Sequence, residues 1–381
     1  MQASIVEVTS DKQLKQFIHF QNHLYEGNPY YTPALESDEF DTLSPKRNPA
    51  FEFCSAKYWL AYDENGKIVG RIAGIVNPKA NAKWGKNQIR FGWFDIVEDE
   101  ELAAALLGKV AEWGKAQGLT QMIGPLGFTD MDKEGMLVEG FDRPCPFTTL
   151  YNHPYYPAIL ERIGFVKDID WIQRSVHMPD TPEMQEKIDK IYKAADMVEQ
   201  RYGLHIAESK SVKDIAKRYG HKIFEMYNDS YAELFEFTPL TDKQIDLMIK
   251  TFVPLMDKDF VSLLVDDDDN IQGFAFCTPS LTKAFQKNKG KLFPFGWIPL
   301  IKALKGKNDT LEALMIGLAP EAQNKGAFAP MFKHIHSNCV KRGIKTIMNN
   351  PQLEDNYKVI NIFQNFNPEF YMRRRCYKKD I

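Results

Sequence analysis

The chain has 381 residues, of which 44% are hydrophobic and 26% are charged, and its formal net charge is −3. This length predicts two domains of roughly 150 to 200 residues each, and the near-neutral charge argues against nucleic acid as a partner, because there is no basic field to attract phosphates. No uncharged stretch reaches the ~18 residues that a membrane span needs, and MQASIVEVTSDKQ shows no signal-peptide pattern, so we expect a cytoplasmic protein without stable membrane insertion.

In the first half, two apolar runs within Tyr58 to Val76 are separated by the turn D-E-N-G, which predicts a β-hairpin. Leu102 to Gln117 is apolar at helical spacing and is followed by Gly118, so a helix is predicted there, with the strand TQMIG after it. A further helix, YYPAILERIG, and a strand, FVKDIDWIQRSV, close this half. The charged segment Pro182 to Tyr202 is then predicted to be a helix that links the two halves.

The second half repeats this plan. Val261 to Pro279 aligns with the first hairpin, so that Ile68 matches Ile271 and Gly70 matches Gly273. The run D-D-D-D-N is therefore interpreted as the hairpin turn, and the alternative of a cation site lacks the spaced oxygen ligands that such loops need. Met331 to Arg342 is predicted as a helix before the strand KTIM, and YKVINIFQNF and EFYMRRRCYKK as the last helix and strand.

Other residue patterns exclude some kinds of site. The cysteines are widely spaced, odd in number and without a C-x-x-C pair, namely Cys54, Cys145, Cys277, Cys339 and Cys376. This spacing argues against a disulfide framework or a zinc ribbon and favours a reducing compartment. His334 and His336 lie two residues apart on a predicted helix and so point to different faces. No metal site is predicted.

Each half carries one insertion. Residues 281–308 contain seven lysines and no acid around LFPFGWIPLI, which indicates either a solvated loop with an apolar anchor or a surface for an acyl chain, an anionic membrane or a phosphorylated substrate. Residues 126–149 place acids beside aromatic side chains, which suits a cationic amine, although a coil held by its aromatics is the alternative. These acids are Asp130, Asp132, Glu134, Glu139 and Asp142.

The order of elements in each half resembles the GNAT (GCN5-related N-acetyltransferase) fold in tandem, over nearly the whole chain. SPKRNPAF, GRIAGIVN, GFDRPCPFTTLYNHPYY and PFG are similar to segments of uncharacterised bacterial N-acetyltransferase-domain proteins. The resemblance implies an α/β (α+β) chain with two tandem GNAT-like domains, each a mixed, mostly antiparallel sheet flanked by helices. The expected division is 1–178, a linker helix at 179–203, and 204–381. It also implies acetyl-CoA or another acyl-CoA as cofactor, and a small-molecule or peptide amine as acceptor.

The family binds the pyrophosphate of coenzyme A with the motif Q/R-x-x-G-x-G/A, where backbone N–H groups and the positive end of a helix face the anion. Gln323 to Phe328 occupy the six positions, although Phe328 stands where the family has a small residue, and Pro330 is predicted at the first helical position. A plain strand-to-helix turn is the alternative. The expected cofactor contacts are Ile316, Leu318, Gln323, Asn324, Lys325, Gly326, Ala327, Phe328, Ala329 and Asn356, the last of which also suits a helix cap. The matching segment of the first half, FDIVEDEELAAAL, has no glycine and carries the acids Glu98, Asp99, Glu100 and Glu101, which predicts a degenerate copy without a phosphate loop.

Many GNAT enzymes use a tyrosine on the last helix as general acid, but the matching positions hold Leu160 and Phe363. As substitutes, Glu354 is a candidate base and Tyr377 a candidate acid. The resulting hypothesis is an acyl-CoA-dependent N-acyltransferase acting on an unidentified amine. A noncatalytic acyl-CoA-binding or regulatory protein is the alternative, and a transferase that uses aminoacyl-tRNA is a third possibility that the charge does not favour.

Overall fold

A single mixed β-sheet of 14 strands runs through both halves of the protein. The computed structural model describes residues 3–381. Helices cover the two faces of the sheet, and the predicted α/β class with mostly antiparallel pairing is confirmed. None of the helices within residues 3–381 combines the length and the apolar character needed to cross a membrane.

The first half forms the elements expected from its sequence. Its strands are β1 (Ser4–Glu7), β2 (Ser55–Tyr62), β3 (Ile68–Val76), β4 (Gln88–Ile96), β5 (Gln121–Gly124), β6 (Met136–Glu139) and β7 (Val166–His177). Its helices are α1 (Asp11–Leu24), α2 (Glu36–Leu43), α3 (Pro78–Trp84), α4 (Glu100–Ala116) and α5 (Tyr155–Arg162). The predicted hairpin is β2–β3, and the predicted helix is α4, which is followed by Gly118 in the left-handed conformation (φ 74°).

The second half follows the helix α6 (Pro182–Tyr202), whose bounds match the predicted linker. Its strands are β8 (His205–Ile206), β9 (Val261–Val265), β10 (Ile271–Pro279), β11 (Thr310–Leu318), β12 (Thr346–Asn349), β13 (Gln352–Leu353) and β14 (Glu369–Asp380). Its helices are α7 (Val212–Ser230), α8 (Asp242–Phe252), α9 (Thr282–Asn288), α10 (Trp297–Lys305), α11 (Pro320–Gln323), α12 (Phe328–Arg342) and α13 (Tyr357–Gln364). The acidic run is the β9–β10 turn, where the Asp266 side chain accepts hydrogen bonds from the N–H groups of Asp268 and Asn270.

The two halves exchange their long last strands. The strand order is β1-β2-β3-β4-β5-β14-β7-β12-β11-β10-β9-β8, so β14 lies between two strands of the first half and β7 pairs with β12 of the second. β7 and β14 pair antiparallel along most of their length. Because both ranges contribute to one sheet, the division into 1–178 and 204–381 stays a prediction about the sequence repeat.

The linking helix α6 is packed against the second half. Met184 and Ile188 are buried in a cluster with Phe366, and Phe332 of α12 packs against the same cluster. The Tyr192 hydroxyl hydrogen-bonds to Nδ1 of His336 at 2.9 Å. α6 is therefore a structural layer over α12, because its apolar stripe is wide enough to bury one face while its charges remain in solvent.

The only parallel pairs among the described strands are β4–β5 and β11–β12. In each pair, the two strands are hydrogen-bonded over only part of their length and leave a gap beyond it. β11 and β12 pair from Thr310 to Ala313, beyond which β11 continues beside β10 alone. In the first half, the matching gap is filled by the chain itself, because the N–H of Leu126 donates to the carbonyl of Phe91 at 2.8 Å. The two gaps position the sites described next.

Candidate functional site

The segment between β11 and α12 contains a short helix, α11, and a turn at Gly326, which adopts a left-handed conformation (φ 74°). α12 begins at Phe328, so Pro330 is its third residue and the predicted first position was wrong by two residues. Proline is tolerated there because the first N–H groups of a helix have no acceptor within the helix.

Three successive backbone N–H groups at the start of α12 are free. Within residues 3–381, those of Gly326, Ala327 and Phe328 donate no hydrogen bond to backbone or side chain. Gly326 is exposed, and a Cβ added to it would come no closer than 3.4 Å to Val198. Free amides on the positive end of a 15-residue helix are groups that can bind an anion, by their geometry and dipole.

Side chains around this turn add polar groups and leave it open. Lys325 lies with its ammonium nitrogen 5.5 Å from the centre of the Tyr202 ring, and Gln323 donates from Nε2 to the carbonyl of Leu318 at 3.4 Å. The ring of Phe328 packs on Phe332, one turn further along α12, with ring centres 5.8 Å apart. Phe328 thus packs along the helix, in the direction away from the free amides.

The open edge of β11 lies beside this turn. Opposite Phe276 and Cys277 the register shifts, which leaves Leu314 as an extra residue in a β-bulge. Beyond it, the hydroxyl of Tyr231 donates to the carbonyl of Ile316 at 3.1 Å. The side chains of Ile316 and Leu318 themselves pack in the cluster that contains Met331 of α12. The backbone edge of β11, rather than these two side chains, therefore faces the gap.

The insertion at 126–149 reaches the same region from the first half. Asp130 accepts a hydrogen bond from the hydroxyl of Tyr227, whose ring lies 4.3 Å from that of Tyr231. Burial raises the pKa of Asp130 to about 6, and its second carboxylate oxygen is buried without a hydrogen-bond partner in the described part of the chain. An insertion of one half thus contacts the open strand of the other through two tyrosines.

The five acids of this insertion separate into two groups. Burial raises the pKa of Asp132 to about 6 and that of Glu134 well above its usual value. Asp132 accepts hydrogen bonds from the N–H groups of Phe128 and Thr129, which holds the coil in place. Glu139 instead pairs with Arg373 at 2.9 Å, and Asp142 is exposed. The structure brings Asp130, Asp132 and Glu134 together.

A buried carboxylate on β11 was missed by the sequence reasoning. Glu312 is only 4% exposed, and its Oε1 accepts hydrogen bonds from the hydroxyls of Ser280 at 2.5 Å and Thr282 at 3.0 Å. Its Oε2 has no hydrogen-bond partner among residues 3–381, and burial raises the pKa of this carboxyl group to about 7. Glu312 pairs with Met348 of β12, one residue before the last pair of this ladder at Ala313, so it lies next to the point where the edge opens. The available signal was a single acid inside the apolar strand TLEALMIGL.

The predicted catalytic residues lie elsewhere in the sheet. Glu354 pairs with Lys167 at 2.7 Å and accepts from the N–H of Asp170 at 3.2 Å. Tyr377 is fully buried in the core of the first half, and its hydroxyl donates to Glu161 at 3.2 Å. Asn356 caps α13 by accepting from the N–H of Val359 at 3.4 Å. None of these three side chains hydrogen-bonds to residues 316–329, so the structure gives their proposed roles no added support.

The histidines of α12 also have separate surroundings. Nε2 of His334 faces the Asn338 amide at 3.3 Å, while His336 is bonded to Tyr192. Burial lowers the pKa of both. Within residues 3–381, no group of three or more His, Cys, Asp and Glu side chains is placed to hold a metal ion.

Comparison with solved structures decides the fold. A tandem GNAT protein from the clavulanic acid biosynthesis pathway superposes with a TM-score of 0.54 at 11% identity, covering 100% of this chain and 98% of that one. The protein has a tandem GNAT fold. A GCN5-related N-acetyltransferase from Anabaena variabilis gives a TM-score of 0.52 at 9% identity, with 99% of this chain and 72% of that chain covered.

Two curated proteins resemble the tandem GNAT chain along almost its whole length. Protein YghO of Escherichia coli is 28% identical over 384 residues, which covers 97% of this chain and 93% of that protein. The bacterial ceramide synthase of Caulobacter vibrioides is 25% identical over 390 residues, covering 99% and 97%. No protein-family model matches the chain.

Proposed function

We propose that this tandem GNAT protein is an acyl-CoA-dependent N-acyltransferase in which the second half binds the thioester. The observation that carries the proposal is the row of free N–H groups at Gly326, Ala327 and Phe328, directly after a strand with an open edge. Such a row suits a diphosphate, and the ammonium of Lys325 adds positive charge nearby. The edge of β11, where the side chains of Asn350 and Tyr231 donate to the carbonyls of Leu314 and Ile316, is proposed to contact the amide groups of the pantetheine arm.

Glu312 is proposed as the general base. The acceptor amine reaches the protein largely as an ammonium ion, and a base must remove a proton before the nitrogen can attack. A buried carboxylate with a pKa of about 7 and one free oxygen is suited to this step, while the Ser280 and Thr282 hydroxyls hold the other oxygen in place. Bound acyl-CoA supplies the thioester carbonyl, at which a C–N bond forms as the C–S bond breaks and the thiol leaves with a proton.

The acceptor class is proposed from one relative. The Caulobacter protein is named a ceramide synthase, and a ceramide is the amide of a fatty acid with a long-chain amino alcohol. The alignment covers nearly all of both chains, so we infer a long-chain amino alcohol as acceptor and a fatty acyl-CoA as donor. The half-buried acids Asp130 and Glu134 are proposed to lie near the cationic amine, since Asp130 is linked to the open strand through Tyr227 and Tyr231.

A noncatalytic acyl-CoA-binding protein is the second candidate, because Leu160 and Phe363 stand where the GNAT general acid is expected. The two candidates differ in thiol release. We expect free thiol to appear when palmitoyl-CoA and a long-chain amino alcohol are both present, and to be much reduced without the amine. Calorimetry with palmitoyl-CoA alone measures binding in parallel. Binding without thiol release across a panel of amines would favour the noncatalytic candidate, and absence of binding would remove both.

A further inference from the structure

The insertion at 281–308 exposes a group of large apolar side chains that none of residues 3–381 covers. Phe293 is 81% exposed, Phe295 70%, Trp297 43% and Ile301 46%. They lie on the turn between α9 and α10 and on the outer face of α10. Side chains of this size are rarely left in water together unless the surface binds a partner.

The inner face of the same insertion is packed, so the exposed group does not result from a loose segment. Leu300 and Leu304 of α10 are buried in a cluster with Phe285 of α9. Phe285 stacks on Phe147 of the first insertion, with ring centres 5.3 Å apart and planes inclined by 5°. The indole N–H of Trp297 donates to the carbonyl of Pro294 at 3.1 Å, which satisfies the polar edge of that ring. The apolar group is therefore presented on an anchored scaffold.

Lysines surround the exposed apolar group. The insertion contains no Asp or Glu, and all of its lysines are exposed, namely Lys283, Lys287, Lys289, Lys291, Lys302, Lys305 and Lys307. Within residues 3–381 none of these ammonium groups forms an ion pair of 4.0 Å or less. Because the whole chain has a net charge of −3, this positive field is local.

We propose that residues 281–308 dock on the surface of an anionic phospholipid bilayer. The aromatic side chains would enter the boundary between headgroups and acyl chains, and the lysines would contact lipid phosphates. A second copy of the chain is a poorer occupant, since two such surfaces would repel each other. A nucleic acid would satisfy the lysines but would leave Phe293 and Phe295 without an apolar partner. The docking does not depend on the proposed function. Its benefit would be the supply of long-chain substrates from the bilayer, and this benefit rests on the proposed function.

Vesicle co-sedimentation tests the proposal. We expect the protein to bind vesicles of equimolar phosphatidylcholine and phosphatidylglycerol, and to bind pure phosphatidylcholine far more weakly. The variant Phe293→Ser/Phe295→Ser/Trp297→Ser should lose at least ~10-fold in partitioning, because it removes most of the exposed apolar area. Lys302→Gln/Lys305→Gln/Lys307→Gln should lose on the order of 100-fold on the anionic vesicles, given about fivefold for each lysine near the surface.

A matched control removes exposed apolar side chains elsewhere. Met197 and Val340 are 63% and 61% exposed on α6 and α12, and Met197→Ser/Val340→Ser should bind vesicles like the unaltered chain. Quenching of Trp297 fluorescence by brominated lipids measures the same contact in the unaltered chain, so it does not depend on whether a variant folds. This quenching should disappear in Trp297→Phe. Equal binding to neutral and anionic vesicles, unchanged binding by the aromatic variant, or a dimer that only the aromatic variant dissociates would each overturn the proposal.

The outcome is separable from that of the proposed function. Thiol release from palmitoyl-CoA with a long-chain amino alcohol, both supplied in nonionic detergent micelles without vesicles, should be the same in the aromatic variant and the unaltered chain. Vesicle binding by a protein that releases no thiol would support docking and contradict the enzyme. Thiol release by a protein that does not bind vesicles would support the enzyme and contradict docking.

Discussion

The two halves of the protein place a helix N-terminus at the same point of one fold and use it in opposite ways. In the first half, Asp99 caps α4 by accepting a hydrogen bond from the N–H of Leu102 at 2.8 Å, and Glu100 pairs with Arg162. In the second half, no side chain of the described part of the chain caps α12, and its first N–H groups have no partner there. The first helix end is thus neutralised by the chain itself, whereas the second is available to an external anion.

The gaps next to these helices also differ, because the chain fills the gap of the first half and leaves that of the second half more open. Between β4 and β5, a Cβ on Gly92 would lie 2.5 Å from the carbonyl oxygen of Leu126, so the insertion fills this gap with backbone contacts. Between β11 and β12, the edge of β11 is reached by single side chains, including Tyr231. A repeat can therefore keep its fold in both copies while backbone of the chain itself fills the gap in only one of them.

The largest expected effect is on Glu312, which has no counterpart in the first half. Glu312→Gln keeps the hydrogen bonds from Ser280 and Thr282 but cannot take a proton, so the rate of thiol release should fall by about 10² to 10⁴. In the unaltered chain the same rate should rise with pH up to about 7, where the carboxylate becomes deprotonated. Palmitoyl-CoA affinity, measured by calorimetry, should stay unchanged. A variant with normal turnover would remove Glu312 as the base.

The second prediction concerns an acidic side chain placed at the N-terminus of α12, where α4 already has acids. Gly326→Glu puts a carboxylate beside the free N–H groups, where it repels a diphosphate, and acyl-CoA affinity should fall by about 100-fold, or roughly 2.7 kcal/mol. Gly343→Glu is the matched control, because Gly343 follows the other end of the same helix with a similar φ of 71° and has no neighbour within 4 Å of an added Cβ. Equal losses in both variants would indicate backbone strain in place of a binding site.

The third prediction concerns stability and pH. Since the pKa of Glu312 is raised to about 7 in the folded protein, the folded state holds its proton more tightly than the unfolded state, and this contribution to stability is lost as pH rises from about 4.5 to 7. Glu312→Gln removes the loss. We therefore compare the free energy of unfolding of the variant with that of the unaltered chain, both measured by urea denaturation. The difference in favour of the variant should grow by up to about 3 kcal/mol as the pH rises from 4.5 to 8. A pH-independent difference would show that the carboxylate titrates normally.

The smallest effect is expected in the first half. Asp99→Ala removes the cap of α4 and should lower the free energy of unfolding by about 1 kcal/mol, measured in urea, with acyl-CoA affinity unchanged. Appearance of a second acyl-CoA site in this variant would contradict the view that the first half lacks a phosphate loop, since it would mean that Asp99 alone had blocked one.

Much of the local structure could be predicted because it depends on neighbouring residues. The bounds of α6 and the acidic β9–β10 turn follow from caps, periodicity and turn residues that act within a few positions. The start of α12 was misplaced because proline is tolerated at any of the first positions of a helix, so Pro330 does not fix which one it occupies. Glu354 was selected because it follows a predicted strand near the expected acceptor cleft, and Tyr377 because it is a tyrosine on the last predicted strand. Neither argument contains information about which strands pair.

The sequence by itself determined the repeat, the fold that the chain resembles, and which half has a glycine turn before a helix. Each of these depends on residues within a short segment. Only the tertiary structure decided that β14 lies in the sheet of the first half, which buries Tyr377 away from the loop. It also decided that Asp130 meets Tyr227 and that Glu312 is buried beside an open strand edge. These contacts join residues far apart in sequence, and burial, which shifts their pKa values, arises only when the distant segments pack together.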